Sequence, residues 1–149
     1  MDRFARGLVA GIIGGIVMNI WTVMAVYIFG WEIIRFVDWA GIILYGDMPR
    51  SHLEGIMALV LQLLWSGLLG IGLAFLIQQV TSREYLFKAV FYGVMVGFIV
   101  YAIPVMFKMP YLSQKSLVTV ASNHIGGAIW GLTSGLVLRW LDSSPRVHA

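Results

Sequence analysis

Charged residues interrupt the chain at only a few places, and between them lie four charge-free apolar runs, Gly7–Trp31, Gly55–Ser82, Ala89–Phe107 and Ser116–Leu138. Each reaches or exceeds the roughly 17–25 residues that a helix needs to cross a bilayer. In hydrocarbon only a helix or a closed barrel satisfies every backbone N–H and C=O, and runs of this length match helices. The pattern therefore predicts an all-α membrane protein, a bundle of four transmembrane helices spanning about 7–29, 55–80, 89–107 and 116–138. Residues 1–149 then form a single integral membrane domain.

The polar breaks refine this picture. Trp21, Tyr27 and Trp31 fall where an aromatic belt would mark the far end of the first span. The stretch Gly30–Glu54 mixes charges with aromatic and aliphatic residues, and Glu32, Arg35 and Asp38 recur at a spacing that puts them on one helix face. An interfacial amphipathic helix is expected there, between helices one and two. Gly46-Asp47-Met48-Pro49-Arg50 reads as a turn, and Ser51, three residues before Glu54, has the spacing of a capping box that starts helix two. Gln78, Gln79, Thr81, Ser82, Arg83 and Glu84 mark its exit into water. Pro104 is expected to kink or stop helix three before Lys108-Met109-Pro110, and helix four leaves the membrane at Arg139.

Composition sharpens the class. The chain is 60% hydrophobic and 11% charged, against roughly 45–50% and about 25% in soluble domains. With no cysteine, disulfides, thiolate nucleophiles and cysteine-ligated zinc or iron–sulfur centres are excluded. The N-terminal Asp2, Arg3 and Arg6 ahead of an apolar run imitate a signal peptide, but the run exceeds an h-region and lacks a small-residue cleavage site, so a retained first helix is expected. Arg3, Arg6, Arg83, Lys88, Arg139 and Arg146 fall on one side of the predicted topology and Arg35, Arg50, Lys108 and Lys115 on the other. This bias places both termini in the cytoplasm, in a cell membrane crossed several times. The net charge of +3 sits at helix ends and leaves no nucleic-acid footprint.

Small residues recur every fourth position in all four spans: Gly7, Gly11 and Gly15; Ser66, Gly70 and Ala74; Ala89, Gly93 and Gly97; Gly127, Gly131 and Gly135. Such ladders let two backbones approach closely, either within the bundle or between copies. A displacement of 82 lays Arg6, Gly7, Gly11 and Gly15 over Lys88, Ala89, Gly93 and Gly97, and one of 65 lays Trp65 and Gly70 over Trp130 and Gly135. Two parallel hairpin repeats would produce this, as would chance likeness between glycine-rich helices.

Polar side chains inside the spans are few. With a rise of about 1.5 Å per residue, Asn19 and Tyr101 lie about 18 Å from the cytoplasmic helix starts, and Gln62 and His124 lie about 10–12 Å from the external ones. In a core about 30 Å thick these depths coincide. One reading is a structural hydrogen-bond layer that fixes helix register. The other is a small ligand-binding pocket open to the outside, lined by Asn19, Gln62, Tyr101, Asn123 and His124. Haem is disfavoured because His52 and His148 do not match the depth of His124. Asp38, Asp47, His52 and Glu54 follow no metal-ligand spacing and read as solvated charges. The spans hold no Asp, Glu, Lys or Arg, which argues against a carrier built on buried charge. No Walker A, His-Glu-x-x-His or Gly-x-Ser-x-Gly motif occurs. No catalytic residue, cofactor or metal is therefore expected, and the expected partners are the lipid bilayer and a second copy or another membrane subunit.

The glycine-rich first helix, Phe91-Tyr92-Gly93 in helix three, and Lys115-Ser116-Leu117-Val118-Thr119 leading to Gly127-xxx-Gly131-xxx-Gly135 resemble the YqhR-type conserved membrane proteins of spore-forming bacteria. The YagU-like inner-membrane proteins, with a His followed by a Trp in the last helix, are similar too. The resemblance implies a bacterial four-helix membrane protein and carries over no activity. The sequence thus points to a non-enzymatic multi-pass protein acting through helix packing, as an oligomer or accessory subunit. The alternative is a binder or transporter of a small or lipidic ligand with a polar pocket in the outer half of the bilayer.

Overall fold

A computed structural model describes residues 1–79, 84–109, 112–113 and 116–143. Val80, Thr81, Ser82, Arg83, Pro110, Lys115, Arg146 and His148, used above for helix exits, topology and ligation, lie outside the described residues. Among the described residues five helices follow one another: α1 (Arg3–Tyr27), α2 (Phe36–Tyr45), α3 (His52–Gln79), α4 (Tyr85–Met106) and α5 (Leu117–Ser143). There is no strand among the described residues. Among the described residues three helices, Arg3–Tyr27, His52–Ile77 and Tyr85–Met106, are long and apolar enough to cross a membrane. α5 has 27 residues and is the least apolar of the long helices, since Ser122, Asn123, His124, Thr133 and Ser134 punctuate it.

Local chemistry sets the helix ends. Asp2 Oδ1 accepts from the Ala5 N–H at 2.7 Å and starts α1 four residues ahead of the apolar run. At α3, Ser51 Oγ accepts from the Glu54 N–H at 3.2 Å, while the Glu54 carboxylate reaches back to the Arg50 N–H at 2.7 Å. α4 ends at Met106, ahead of Lys108 and Met109, as expected from Pro104. The proline is buried within the last turn, and the helix closes beyond it, where Lys108 takes a positive φ of 48° and the Met109 N–H reaches the Pro104 carbonyl at 2.9 Å.

α2 departs from the expected amphipathic helix. Glu32 and Arg35 precede it, so the predicted charged face is not formed. The Asp38 carboxylate accepts from the Arg35 backbone N–H at 2.8 Å and from its guanidinium at 3.0 and 2.9 Å, which begins the helix at Phe36. Trp39, Ala40, Gly41 and Ile42 are buried. A Cβ on Gly41 would strike the Pro49 ring, so glycine is what lets the following turn fold back against α2.

α1 lies centrally, antiparallel to α3 on one flank and to α5 on the other, with α4 on the far side of α5. α3 and α4 barely meet. α2 bridges them, packing on α3 while Trp39 stacks on Tyr101 of α4 at 5.0 Å between ring centroids. One core cluster gathers Ala10, Met18, Leu73, Ala74, Ala89, Trp130 and Leu138, and a second joins Trp39 and Ile42 to Tyr101 and Leu112.

The small-residue ladders face each other inside this fold. A Cβ on Gly7 would fall 2.6 Å from Ile71 Cα, 2.8 Å from Gly70 O and 3.0 Å from Ala74 Cβ, and one on Gly11 would fall 2.9 Å from the Cα atoms of Gly67 and Gly70. Ala89 and Gly93 meet Gly127, Gly131 and Gly135 in the same manner. These contacts align Ser66, Gly70 and Ala74 with Gly127, Gly131 and Gly135, one helical turn away from the register that Trp65 over Trp130 gives. The two tryptophans differ accordingly, Trp65 being exposed and Trp130 buried. The likeness of the hairpins ends at Gly97, whose missing Cβ faces open space where its counterpart Gly15 packs on Ser66.

Candidate functional site

The polar residues expected to share one layer divide into two couples. Asn19 Nδ2 donates to Gln62 Oε1 at 2.8 Å, joining α1 to α3. Asn123 Nδ2 donates to the Tyr101 hydroxyl at 2.7 Å and to the Ile34 carbonyl at 3.1 Å, and Tyr101 donates to the Thr119 carbonyl at 3.2 Å. The division follows from the packing: α1 pairs with α3 and α4 with α5, while α3 and α4 scarcely touch. Depth brought four residues to one level, but only adjacency lets them bond. His124 joins neither couple through hydrogen bonds. Its Nδ1 lies 2.8 Å from the Val120 carbonyl of its own helix, and its ring rests 5.3 Å from that of Tyr101.

A third polar node escaped the sequence reading. The indole N–H of Trp130 donates to the Gly11 carbonyl at 3.1 Å and to Ser66 Oγ at 2.7 Å, and Ser66 donates to that same carbonyl at 3.0 Å. Ser134 donates to the Ala10 carbonyl at 3.2 Å. The signal was the ladder itself: a helix stripped of side chains leaves its carbonyls open to donors on a neighbouring helix.

A cleft of about 510 Å³ opens where α1, α2 and α3 come together. Its polar lining comes from Asn19 and Thr22 on α1, Arg35 and Asp38 at the start of α2, and Ser51 and His52 at the start of α3. Val23, Val37, Met48, Pro49, Ile56 and Leu59 form the apolar walls. Asn19 is the only expected site residue that lines it. Gln62 supports Asn19 from behind, whereas Tyr101, Asn123 and His124 lie elsewhere. The helical spacing of Arg35 and Asp38 points to a helix surface, so the sequence does not mark them as site residues. The bond to Asp38 holds the Arg35 guanidinium above its ordinary pKa, against the opposing effect of burial, so the group stays charged. At the opposite end of the bundle a cavity of about 100 Å³ lies among Arg3, Arg6, Tyr85 and Asp142, with Arg6 and Asp142 paired at 2.5 Å.

No cluster of three or more His, Asp or Glu side chains suited to a metal occurs among the described residues. No family model, curated protein or solved structure matches the chain.

Proposed function

We propose that this chain is a non-enzymatic multi-pass membrane protein with four spans, α1, α3, α4 and α5, that binds a small amphipathic ligand in the cleft between α1, α2 and α3. α5 belongs with the spans because it is as long as α1 and packs against it along its length, its polar groups facing Trp21, the Ala10 carbonyl and Tyr101. Lys88 and the ends Arg3 and Arg139 then face the cytoplasm, and the cleft opens on the other side of a bacterial cell membrane.

The cleft is the observation that carries the reading. Its volume falls within the roughly 300–1,000 Å³ of small-molecule sites, and its lining combines an apolar majority with a few convergent polar groups. Transport would require a passage onward from it. The glycine ladders serve mainly the bundle itself, since Gly7, Gly11, Gly15, Gly70, Gly93, Gly127, Gly131 and Gly135 pack within the chain and Gly97 alone of the ladder glycines faces open space. α2 sits at the external end of the bundle, between α3 and α4.

Single cysteines introduced at Arg3, Ser143 and His52 test the topology. The first two should react only from the cytoplasmic side and the third only from outside, and any other pattern overturns the four-span arrangement. Tryptophan at Ile56, which lines the cleft and is exposed, should abolish binding of the compounds named below.

A further inference from the structure

The cleft has an uneven supply of donors and acceptors, and this asymmetry identifies the chemistry of what it holds. Its acceptors are committed or out of reach. The two Asp38 oxygens take three N–H bonds from Arg35, Thr22 is buried and donates to the Asn19 carbonyl, and Asn19 Oδ1 is inaccessible. Its donors are not committed. Arg35 uses Nε and one Nη on Asp38 and keeps the other Nη, while its side chain remains 37% exposed. Ser51 Oγ accepts from Glu54 and its proton has no described acceptor, and the exposed His52 ring has no described partner. The other carboxylates nearby, Asp47 and Glu54, face Arg50 and the backbone N–H groups of Met48 and Arg50. A pocket of unused donors over an apolar wall selects a ligand with an acceptor-rich head and an aliphatic tail.

We infer that the cleft binds a tailed oxyanion, a single aliphatic chain ending in a phosphate or a carboxylate, with the head at Arg35, Ser51 and His52. This rests on the cleft being a ligand site. Guanidinium forks match both oxyanions, and a bond to a charged acceptor is about twice as strong as a neutral one. The tail follows Val23, Ile56 and Leu59, which are exposed on the outer faces of α1 and α3 and lead from the cleft to the lipid-facing surface of the bundle. The Arg35–Asp38 pair is electrically balanced, so the ligand's charge is met by the guanidinium edge that Asp38 leaves open.

The test uses the full chain in a neutral maltoside detergent, with ligand affinity read by native mass spectrometry and by the shift in thermal unfolding. The probes are palmitate, a monopalmitoyl glycerol phosphate, uncharged monopalmitoyl glycerol, a cationic alkyl-trimethylammonium of equal chain length, and inorganic phosphate. One or both tailed oxyanions should bind at least ten-fold more tightly than the uncharged and cationic amphiphiles, and their ranking tells carboxylate from phosphate. Arg35→Gln should remove that preference. His52→Gln, which leaves the α2 start intact, should weaken it and covers the case in which Arg35→Gln fails to fold. Equal binding of the uncharged or cationic amphiphile overturns the oxyanion inference and leaves the cleft as an amphiphile site. Inorganic phosphate binding as tightly as the tailed compounds overturns the role of the apolar wall. Failure of every tailed probe, with no difference between the parent and Ile56→Trp, overturns the ligand-site reading as well.

Discussion

Replacing Gly11 by alanine adds a single methyl group at the closest approach of α1 to α3. That carbon would lie 2.9 Å from Gly67 Cα and 2.9 Å from Gly70 Cα and closer still to the Ser66 carbonyl, all of them backbone atoms that cannot rotate away. Ordinary contact requires 3.4–4 Å, so α1 must withdraw by about 0.5–1 Å, a gap that forfeits a quarter to a half of each neighbouring dispersion contact. It would also stretch the Trp130 and Ser66 bonds to the Gly11 carbonyl. Overpacking of this kind costs about 1–3 kcal/mol, and contact with backbone puts Gly11 at the upper end. Alanine recovers about 1 kcal/mol of helix propensity, leaving a net loss of about 2 kcal/mol. Gly97→Ala provides the internal control, because nothing lies within 4 Å of its added carbon, and propensity alone should stabilise by about 0.5–1 kcal/mol. Equilibrium unfolding in mixed micelles should therefore move the two variants in opposite directions. Equal tolerance of both substitutions would refute the argument that backbone approach, rather than glycine content, holds this hairpin together.

Three further outcomes follow from the polar nodes. Asn123→Leu should cost about 1–2 kcal/mol in the same assay, because it strips partners from Tyr101 and the Ile34 carbonyl, whereas His124→Leu, which loses a bond within its own helix, should change stability by less than about 0.5 kcal/mol. Trp130→Phe keeps most of the ring but removes the donor shared by Gly11 and Ser66, and should lower stability by about 1 kcal/mol; an unchanged unfolding midpoint would show that the indole only fills space. Arg6→Gln breaks an ion pair whose side chains are 23% and 47% exposed, so its cost should stay below about 1 kcal/mol and shrink as salt rises. A salt-independent loss would contradict that account.

The long apolar helices were legible because charge-free runs leave few alternatives in hydrocarbon. Their ends were less so. Asp2 lies outside the apolar run, yet its carboxylate starts α1. α2 misled for a specific reason: Glu32, Arg35 and Asp38 have helical spacing, but Asp38 captures Arg35 at the helix start instead of pairing along a helix face. The candidate site was legible only at Asn19. Spacing gives each residue a depth along its own helix, and no count along the chain reveals that α1 rather than α4 would stand beside α3. The cleft is formed by segments that meet at a corner, and its charged lining comes from the start of α2, which the periodicity misplaced.

The seat of α2 also imposes an order of events during synthesis. Phe36–Tyr45 leaves the ribosome well before its partners: Trp39 waits for Tyr101 and Leu112, and the Ile34 carbonyl waits for Asn123, 89 residues later. Until α4 and α5 have been made, the buried face of α2 has only α1 and α3 to rest on, and the corner that forms the cleft is not yet fixed. A chain released after the first hairpin would therefore expose Trp39 and Ile42. Completion of α4 and the segment after it hides this face, which in an unfinished chain is an aggregation-prone surface.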